Sequence, residues 1–376
     1  MGKHLVLVGG GHAHLTVLVN LAVYVERGHK VTLIGPSAYH YYSGMGPGLL
    51  SGIYRPQDVR FHVKKMAEER GAVFIEDRVL RINPVQRTLD LQSGNQVAYD
   101  IVSFNTGSDV PLTGAVPQGL ENIVPVKPVF NLLKAQRMIV PALKERHMDF
   151  IVIGGGPAGL EVTANLWRLV NKNSGNATIK LIAGRKLLGS LPEKVRTLAL
   201  DSLIGRGITV VEGNRMKEVT GNKIQMADGS SFPFDVAFMA LGVRPSSIFS
   251  DSGIPTGPDG GLLVNSFLQS AAHPEMFGGG DCISFADRPL AKVGVHAVRQ
   301  NPILHHNLLA ALEGRDLKAF MPQKDYMLIF NMGNGRGILW KRGFVYEGRL
   351  AFLLKDYIDR KFMKKFQVTG ERDEPE

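Results

Sequence analysis

Apolar residues fall in short blocks that follow one plan twice. Residues 4–8, His-Leu-Val-Leu-Val, form a compact run. Gly9-Gly10-Gly11 comes next, and over residues 15–25 the apolar positions recur at helical spacing. Residues 149–153, Asp-Phe-Ile-Val-Ile, repeat the run, Gly154-Gly155-Gly156 repeats the triplet, and residues 160–170 repeat the helical period. The triplets start 145 residues apart. Short apolar runs bounded by glycine predict buried parallel strands, and the periodic segments behind them predict helices. A second strand follows in each copy, at residues 30–34 and 178–182. Each copy closes on a third related segment, Tyr99-Asp100-Ile101 leading to Thr106-Gly107 and Phe234-Asp235-Val236 leading to Leu241-Gly242. A hairpin signal precedes each, around Ser93-Gly94-Asn95 and around Asp228-Gly229. The pattern predicts an α/β chain of two tandem Rossmann-like dinucleotide-binding units, each a parallel sheet with a small antiparallel crossover. Pro125, Pro128 and Pro141 mark the passage into the second unit, and the Gly/Pro-rich residues 253–262 mark a return to the first. A strand-rich stretch and a basic helix end the chain. The expected division is 1–118 with 255–320, then 119–254, then a C-terminal extension over 321–376.

The glycine turns hold the candidate chemistry. The second reads Gly154-x-Gly156-Pro157-Ala158-Gly159. In such a turn the first glycine makes the bend, the second admits a pyrophosphate to the backbone, and the third lets helix and strand pack closely. The helix start then offers unpaired N–H groups and partial positive charge to the phosphates. The first turn reads Gly9-x-Gly11-His12-Ala13-His14, with His14 in place of the third glycine. Helix and strand must therefore stand slightly apart, or the imidazole must point away. His12 and His14 either line the turn near the phosphates or belong to a metal site. No carboxylate or cysteine cluster completes a ligand set, so no metal is expected. An acid at the end of the second strand would bind a ribose 2′-hydroxyl. Gly35-Pro36-Ser37 stands there in the first copy and Ala183-Gly184-Arg185-Lys186 in the second. Without the acid a 2′-phosphate meets no repulsion, and Arg185 either pairs with one or is a solvated loop residue.

Composition sharpens this. The 376 residues include 43 glycines, which the turns account for, and one cysteine, Cys282. A single cysteine excludes an intramolecular disulfide, a C-x-x-C redox pair and a four-cysteine zinc site, and it suits a reducing compartment. The formal charge of +10 favours anionic partners, but no nucleic-acid recognition motif accompanies it. Residues 5–25 are nearly apolar, yet the glycine triplet, His12, His14 and Asn20 interrupt them and no cleavage site follows. A cytoplasmic chain is expected, with peripheral contact to the membrane's cytoplasmic face left open.

Two tandem dinucleotide units with a return to the first resemble the two-dinucleotide-binding-domain flavoproteins of the pyridine nucleotide-disulfide oxidoreductase superfamily. Met276-Phe277-Gly278-Gly279-Gly280-Asp281 is similar to their second flavin motif, whose aspartate holds the ribityl hydroxyls of FAD. Within the superfamily, Gly156-Pro157-Ala158-Gly159-Leu160-Glu161 and Lys292-Val293-Gly294-Val295-His296-Ala297 resemble segments of type II NADH:quinone oxidoreductases. The start Gly9–His14 and the tail 355–363 look most like the subgroup found alone or fused to selenophosphate synthetase. The resemblance implies FAD on Gly9, Gly11, His12, Ala13, His14, Thr106, Gly107, Gly280, Asp281 and Ala297. It implies NAD(P)H on Gly154, Gly156, Pro157, Ala158, Gly159, Arg185 and Gly242. Glu161 would orient the nicotinamide, while Lys292 and the helix start near Ala297 would set positive potential by the flavin.

The expected activity is NAD(P)H oxidation through FAD with a quinone as acceptor. The alternatives are a reductase for a protein or a small selenium or sulfur compound, and a flavin-bearing binding protein without turnover. One cysteine argues against disulfide reduction and sulfide oxidation, and Cys282 is expected to be a buried small residue. Residues 42–48 either fold over the flavin or simply connect. Between residues 336 and 365, nine basic residues face three acidic ones. Leu350, Leu354, Tyr357, Ile358, Phe362 and Phe366 recur at helical spacing beside them. Residues 350–366 therefore suit either an anionic membrane surface or packing on the protein core. A homodimer is left open.

Overall fold

The computed structural model describes residues 2–112, 116–117, 119–323 and 325–375. The chain first lays down β1 (His4–Val8), β2 (Lys30–Gly35), β3 (Val73–Glu76) and β4 (Ile101–Phe104). It then forms β5 (Ile123–Pro125), β6 (Met148–Ile153), β7 (Ala177–Gly184), β8 (Thr209–Glu212) and β9 (Val236–Met239), and returns as β10 (Met276–Gly278). The first sheet has the order β10-β4-β1-β2-β3 and the second β5-β9-β6-β7-β8. All pairings within both are parallel, with His4 opposite Lys30 and Met148 opposite Ala177. The copies match strand for strand. Only the outermost strand differs in origin, because β10 comes from the returning chain and β5 from just ahead of its own unit. Leu5, Val6 and Leu7 have no exposed surface, as expected for a central strand covered on both faces. Each sheet organises its own apolar core. The expected hairpins form as three-stranded antiparallel sheets, Val79–Asn83 with Thr88–Leu91 and Gln96–Ala98, and Met216–Thr220 with Lys223–Met226 and Ser231–Pro233.

The helix predicted over residues 15–25 is broken. A 3₁₀ turn, His12–His14, leads into α1 (Leu15–Val19), and α2 (Leu21–Glu26) begins after Asn20. The Asn20 side chain donates to the Thr16 carbonyl at 2.7 Å, the local bond by which asparagine competes with helix backbone. Residues 42–48 are largely helical. They form a 3₁₀ turn, Ser43–Met45, and α3 (Gly46–Leu50). In the second unit α4 (Pro157–Lys172) runs unbroken from a proline at its first position, where no N–H is needed. The chain then forms α5 (Gly294–Glu313), the antiparallel strands β11 (Leu328–Asn331), β12 (Gly337–Lys341) and β13 (Phe344–Gly348), and α6 (Arg349–Phe366). Helix α6 divides its apolar residues between two faces. Ala351, Met363 and Phe366 pack inward, whereas Leu350, Leu353 and Tyr357 are 67%, 58% and 62% exposed. The single apolar face read from the sequence is thus split, with Phe362 on the protein core and Leu350, Leu354, Tyr357 and Ile358 turned outward.

Candidate active site

The second glycine turn connects β6 to α4. Gly154 adopts φ 134°, and a Cβ there would collide with the Ala240 carbonyl. A Cβ on Gly159 would collide with the carbonyl of Gly154, so helix and turn touch backbone to backbone. Gly156 has nothing within 4 Å of a Cβ position, and the backbone there is open to an incoming group. Gly242, at the end of the following segment, is likewise open and has φ 83°. Arg185 lies on the exposed loop just beyond β7.

The first turn is built differently. A Cβ on Gly9 would collide with the Asn105 backbone carbonyl, and one on Gly11 with the Asn105 side chain. The Asn105 Oδ1 accepts from the Ala13 N–H at 2.9 Å, and its Nδ2 donates to the Gly279 carbonyl at 2.6 Å. One amide therefore ties the turn to the Gly279-Gly280-Asp281 segment. The His14 imidazole does not point away from the turn. It is fully buried, with Nδ1 2.6 Å from the Gly9 carbonyl and Nε2 2.8 Å from the Ser103 hydroxyl. A carbonyl only accepts, so Nδ1 carries the proton and Nε2 accepts from Ser103. Burial pushes the pKa of His14 down to about 4. Both its nitrogens are committed inside the protein, leaving it no polar atom for a cofactor. The His12 ring lies 5.0 Å from His40 and 5.1 Å from Tyr42. Burial holds His12 near pKa 4 and His40 near pKa 3, and the Nε2 of each has no hydrogen-bond partner.

Asp281 sits on the 3₁₀ turn Gly280–Cys282. Its Oδ2 accepts from Lys127 Nζ at 2.7 Å and from Ser108 Oγ at 2.8 Å. Burial raises its pKa, but Lys127 and Ser108 outweigh that and keep the carboxylate ionised. Thr106 is exposed beside it, and Gly107 has φ 73° with open space around a Cβ position. Ala297 is buried in the first turn of α5, where a Cβ on Gly280 would stand 3.4 Å from its Cβ. Gln300 of the same helix accepts from the Gly280 N–H at 2.7 Å. Lys292 lies just ahead of α5 and is held by Asp259 at 2.7 Å and by the Ile283 carbonyl. Cys282 is buried, its thiol directed at the Phe104 and Gly279 carbonyls, and burial pushes its pKa up, away from thiolate chemistry.

Glu161, in the first turns of α4, meets residues that sequence reasoning missed. Its Oε1 accepts from the Asn331 N–H at 2.7 Å. Burial raises its pKa to about 6, against the pull of Lys355 and that N–H. Lys355 Nζ donates to Asp359 Oδ2 and to the Gly44 carbonyl, each at 2.7 Å, and the Tyr42 hydroxyl donates to Asp359 Oδ1 at 3.1 Å. Burial opposes the charge on Lys355, but Asp359 and Glu161 together raise its pKa and keep it cationic. The C-terminal helix thus supplies two charged groups to the site. The sequence signal was a Lys–Asp pair at i,i+4, hidden in a segment whose apolar residues drew the attention.

The model of the pyridine nucleotide-disulphide oxidoreductase family matches residues 3–306. The chain belongs to this family. Among curated relatives, ferroptosis suppressor protein 1 of Xenopus tropicalis is 24% identical over 97% of this chain and 96% of its own length. The type II NADH:quinone oxidoreductase of Haemophilus influenzae is 22% identical over 85% of this chain and 82% of its own. Among solved structures, NDH2 of Plasmodium falciparum in complex with NADH superposes with a TM-score of 0.84 at 14% identity, covering 99% of this chain and 96% of that one. The sulfide:quinone oxidoreductase of Aquifex aeolicus gives 0.78 at 18% identity, covering 98% and 92%. The fold is the two-unit Rossmann-like architecture of these reductases, and the cofactors of the family are FAD and NAD(P)H. The residues present fit both groups. Gly156 and Gly107 leave backbone open where a side chain would obstruct, and Asp281 offers an ionised carboxylate with Oδ1 outside the Lys127 and Ser108 bonds.

Proposed function

We propose that the chain oxidises NAD(P)H and delivers the electrons through FAD to a quinone. The observation that carries this reading is the buried cluster of Glu161, Lys355, Asp359 and Tyr42. Converting a quinone to a quinol consumes an electron pair and a pair of protons. The nicotinamide donor brings the electron pair and one proton, and the other comes from solvent. A one-electron carrier protein needs no proton at the site. A carboxyl group poised near pH 6 beside a buried ammonium suits the acceptor that does. Bound FAD supplies the relay of the electron pair.

Residues 1–118 and 255–320 are assigned to FAD and residues 119–254 to NAD(P)H. Gly9 and Gly11 keep the first turn close against Asn105, His14 braces it from beneath, and Asp281 holds the ribityl hydroxyls. Gly154, Gly156 and Gly159 bring the nicotinamide donor's pyrophosphate to the start of α4. Glu161 orients the nicotinamide and holds a proton at its carboxylate. Because Lys292 is engaged by Asp259, the positive potential toward the flavin is assigned to the α5 start near Ala297. Residues 321–376 are assigned to an anionic membrane surface, where a lipid-soluble quinone is found. Leu350, Leu353, Leu354, Tyr357 and Ile358 form the inserting stripe.

The test is anaerobic. NADH or NADPH should bleach the bound flavin, and a short-chain quinone should restore its colour. Restoration by a redox protein or by a selenium or sulfur compound, with none by quinones, would overturn the acceptor assignment.

A further inference from the structure

We infer that the second unit is built for NADPH, with Arg185, Lys186, Gly189 and Ser190 forming the subsite for the 2′-phosphate of its adenosine ribose. The inference rests on the reading of the second glycine turn as the NAD(P)H site. Strand β7 ends at Gly184 with φ 69°, a conformation that lets the chain leave the sheet sharply. The loop that follows is pinned to the glycine turn, because the Leu188 N–H donates to the Gly155 carbonyl at 2.7 Å. Beyond it lies a cavity of about 460 Å³ lined by Arg185, Lys186, Gly189 and Ser190. That volume falls within the roughly 300–1,000 Å³ of small-molecule pockets. The end of the second strand is where a Rossmann unit meets the adenosine ribose. An acid there accepts from a 2′-hydroxyl, and an arginine there accommodates a 2′-phosphate.

The nearby acids are already engaged. Glu212 accepts from the Leu187 N–H at 2.6 Å and pairs with Arg196. Glu193 accepts from Lys186 and Arg196, each at 2.9 Å. Neither carboxylate pairs with Arg185, whose side chain makes no hydrogen bond or ion pair among the described residues. The Lys186–Glu193 pair is exposed on both sides, so it is weak and Lys186 is available to exchange partners. The cavity therefore presents one free guanidinium, one exchangeable ammonium and the Ser190 hydroxyl to a dianionic phosphate monoester. The first unit provides an internal contrast. The equivalent loop there is Gly35-Pro36-Ser37, without a cation, and the nucleotide assigned to that unit carries no 2′-phosphate.

The decisive measurement compares NADPH with NADH in anaerobic stopped-flow reduction of the bound flavin. It is paired with calorimetric binding of adenosine 2′,5′-bisphosphate against 5′-AMP. The wild type should prefer NADPH and should bind the bisphosphate more tightly. Arg185→Ala should reduce both preferences by about ten- to a hundredfold, the scale of a lost charge-assisted hydrogen bond. Arg185→Lys should recover part of each. Equal affinity of the wild type for bisphosphate and 5′-AMP would overturn the inference. So would an Arg185→Ala variant that keeps the wild-type preference. If neither nucleotide bleaches the flavin, the NAD(P)H reading itself fails. If NADH bleaches it as readily as NADPH, only the 2′-phosphate subsite fails.

Discussion

His14 and Glu161 occupy matching neighbourhoods in the two copies, each just past a glycine turn, and burial moves them to opposite ends of the same problem. Burial keeps His14 neutral, with its pKa near 4, and its hydrogen bonds satisfy both ring nitrogens. Glu161 is pushed up to about 6, so its carboxyl changes charge within the working pH range. The consequences for stability have opposite signs. The His14 contribution is present above the unfolded histidine pKa and is lost as pH falls toward 4. The Glu161 contribution is present below the unfolded carboxyl pKa and is lost as pH rises through 6. Turnover should follow Glu161. If its carboxyl passes the proton to the acceptor, kcat with a short-chain quinone should show an inflection near pH 6. Glu161→Gln, which keeps the size but holds no exchangeable acid proton, should remove that inflection and lower kcat about 10²–10⁴-fold. Flavin bleaching by NADPH should persist far better than turnover. An unchanged inflection in Glu161→Gln would assign it to another group.

At the scale of elements, helix α6 makes the sharpest forecast because its two faces do different things. The inner face brings Lys355 and Asp359 to Tyr42 and Gly44. The outer face exposes Leu350, Leu353, Leu354, Tyr357 and Ile358 at the spacing of one helical stripe. Leu353→Glu with Tyr357→Glu should abolish sedimentation with anionic vesicles while leaving the flavin spectrum unchanged. Asp359→Ala should do the reverse: it strands a buried ammonium, perturbing the flavin spectrum and turnover but not vesicle binding. Periodicity revealed that this helix exists but could not divide its faces. Which apolar residues turn inward depends on where β11, β12 and Tyr42 stand, and Tyr42 meets Asp359 across 317 residues of sequence. The parallel strands and the second glycine turn were legible because their causes are local: apolar runs, glycine conformation and a proline at a helix start. The first turn was only half legible. Glycine spacing marked it, but Asn105 and Ser103, which decide how it is filled, come from β4 and the residue after it.

At the scale of the whole molecule, the last residues close the structure over the first unit. Beyond α6 the chain folds back onto Arg60 and His62. Glu374 pairs with Arg60 at 3.0 Å and with Lys65 at 3.3 Å, and buried Glu371 accepts from the His62 N–H at 3.3 Å. Phe362 packs on Tyr42, their ring centroids 4.9 Å apart. The C-terminal segment thus exposes an apolar stripe on one side, the side proposed to meet the membrane, and packs Lys355, Asp359 and Phe362 against Tyr42 and Gly44 on the other. Among the described residues no helix is long and apolar enough to cross a membrane, so attachment would depend on the stripe and its basic flank. Removing everything after Gly348 should therefore produce two losses together. Vesicle binding should disappear, since each basic residue near an anionic surface contributes about 1 kcal/mol and the apolar stripe goes with them. The binding expected of the full chain should weaken as salt rises. The truncated protein should also lose flavin and melt at a lower temperature, because Tyr42, His12 and Arg60 lose their cover. A segment that serves only as an anchor would give the first loss without the second, and a segment that serves only as a wall would give the second without the first. Vesicle sedimentation, a flavin spectrum and a thermal melt on one preparation decide between the three outcomes, and the proposed double role of α6 predicts that both losses occur.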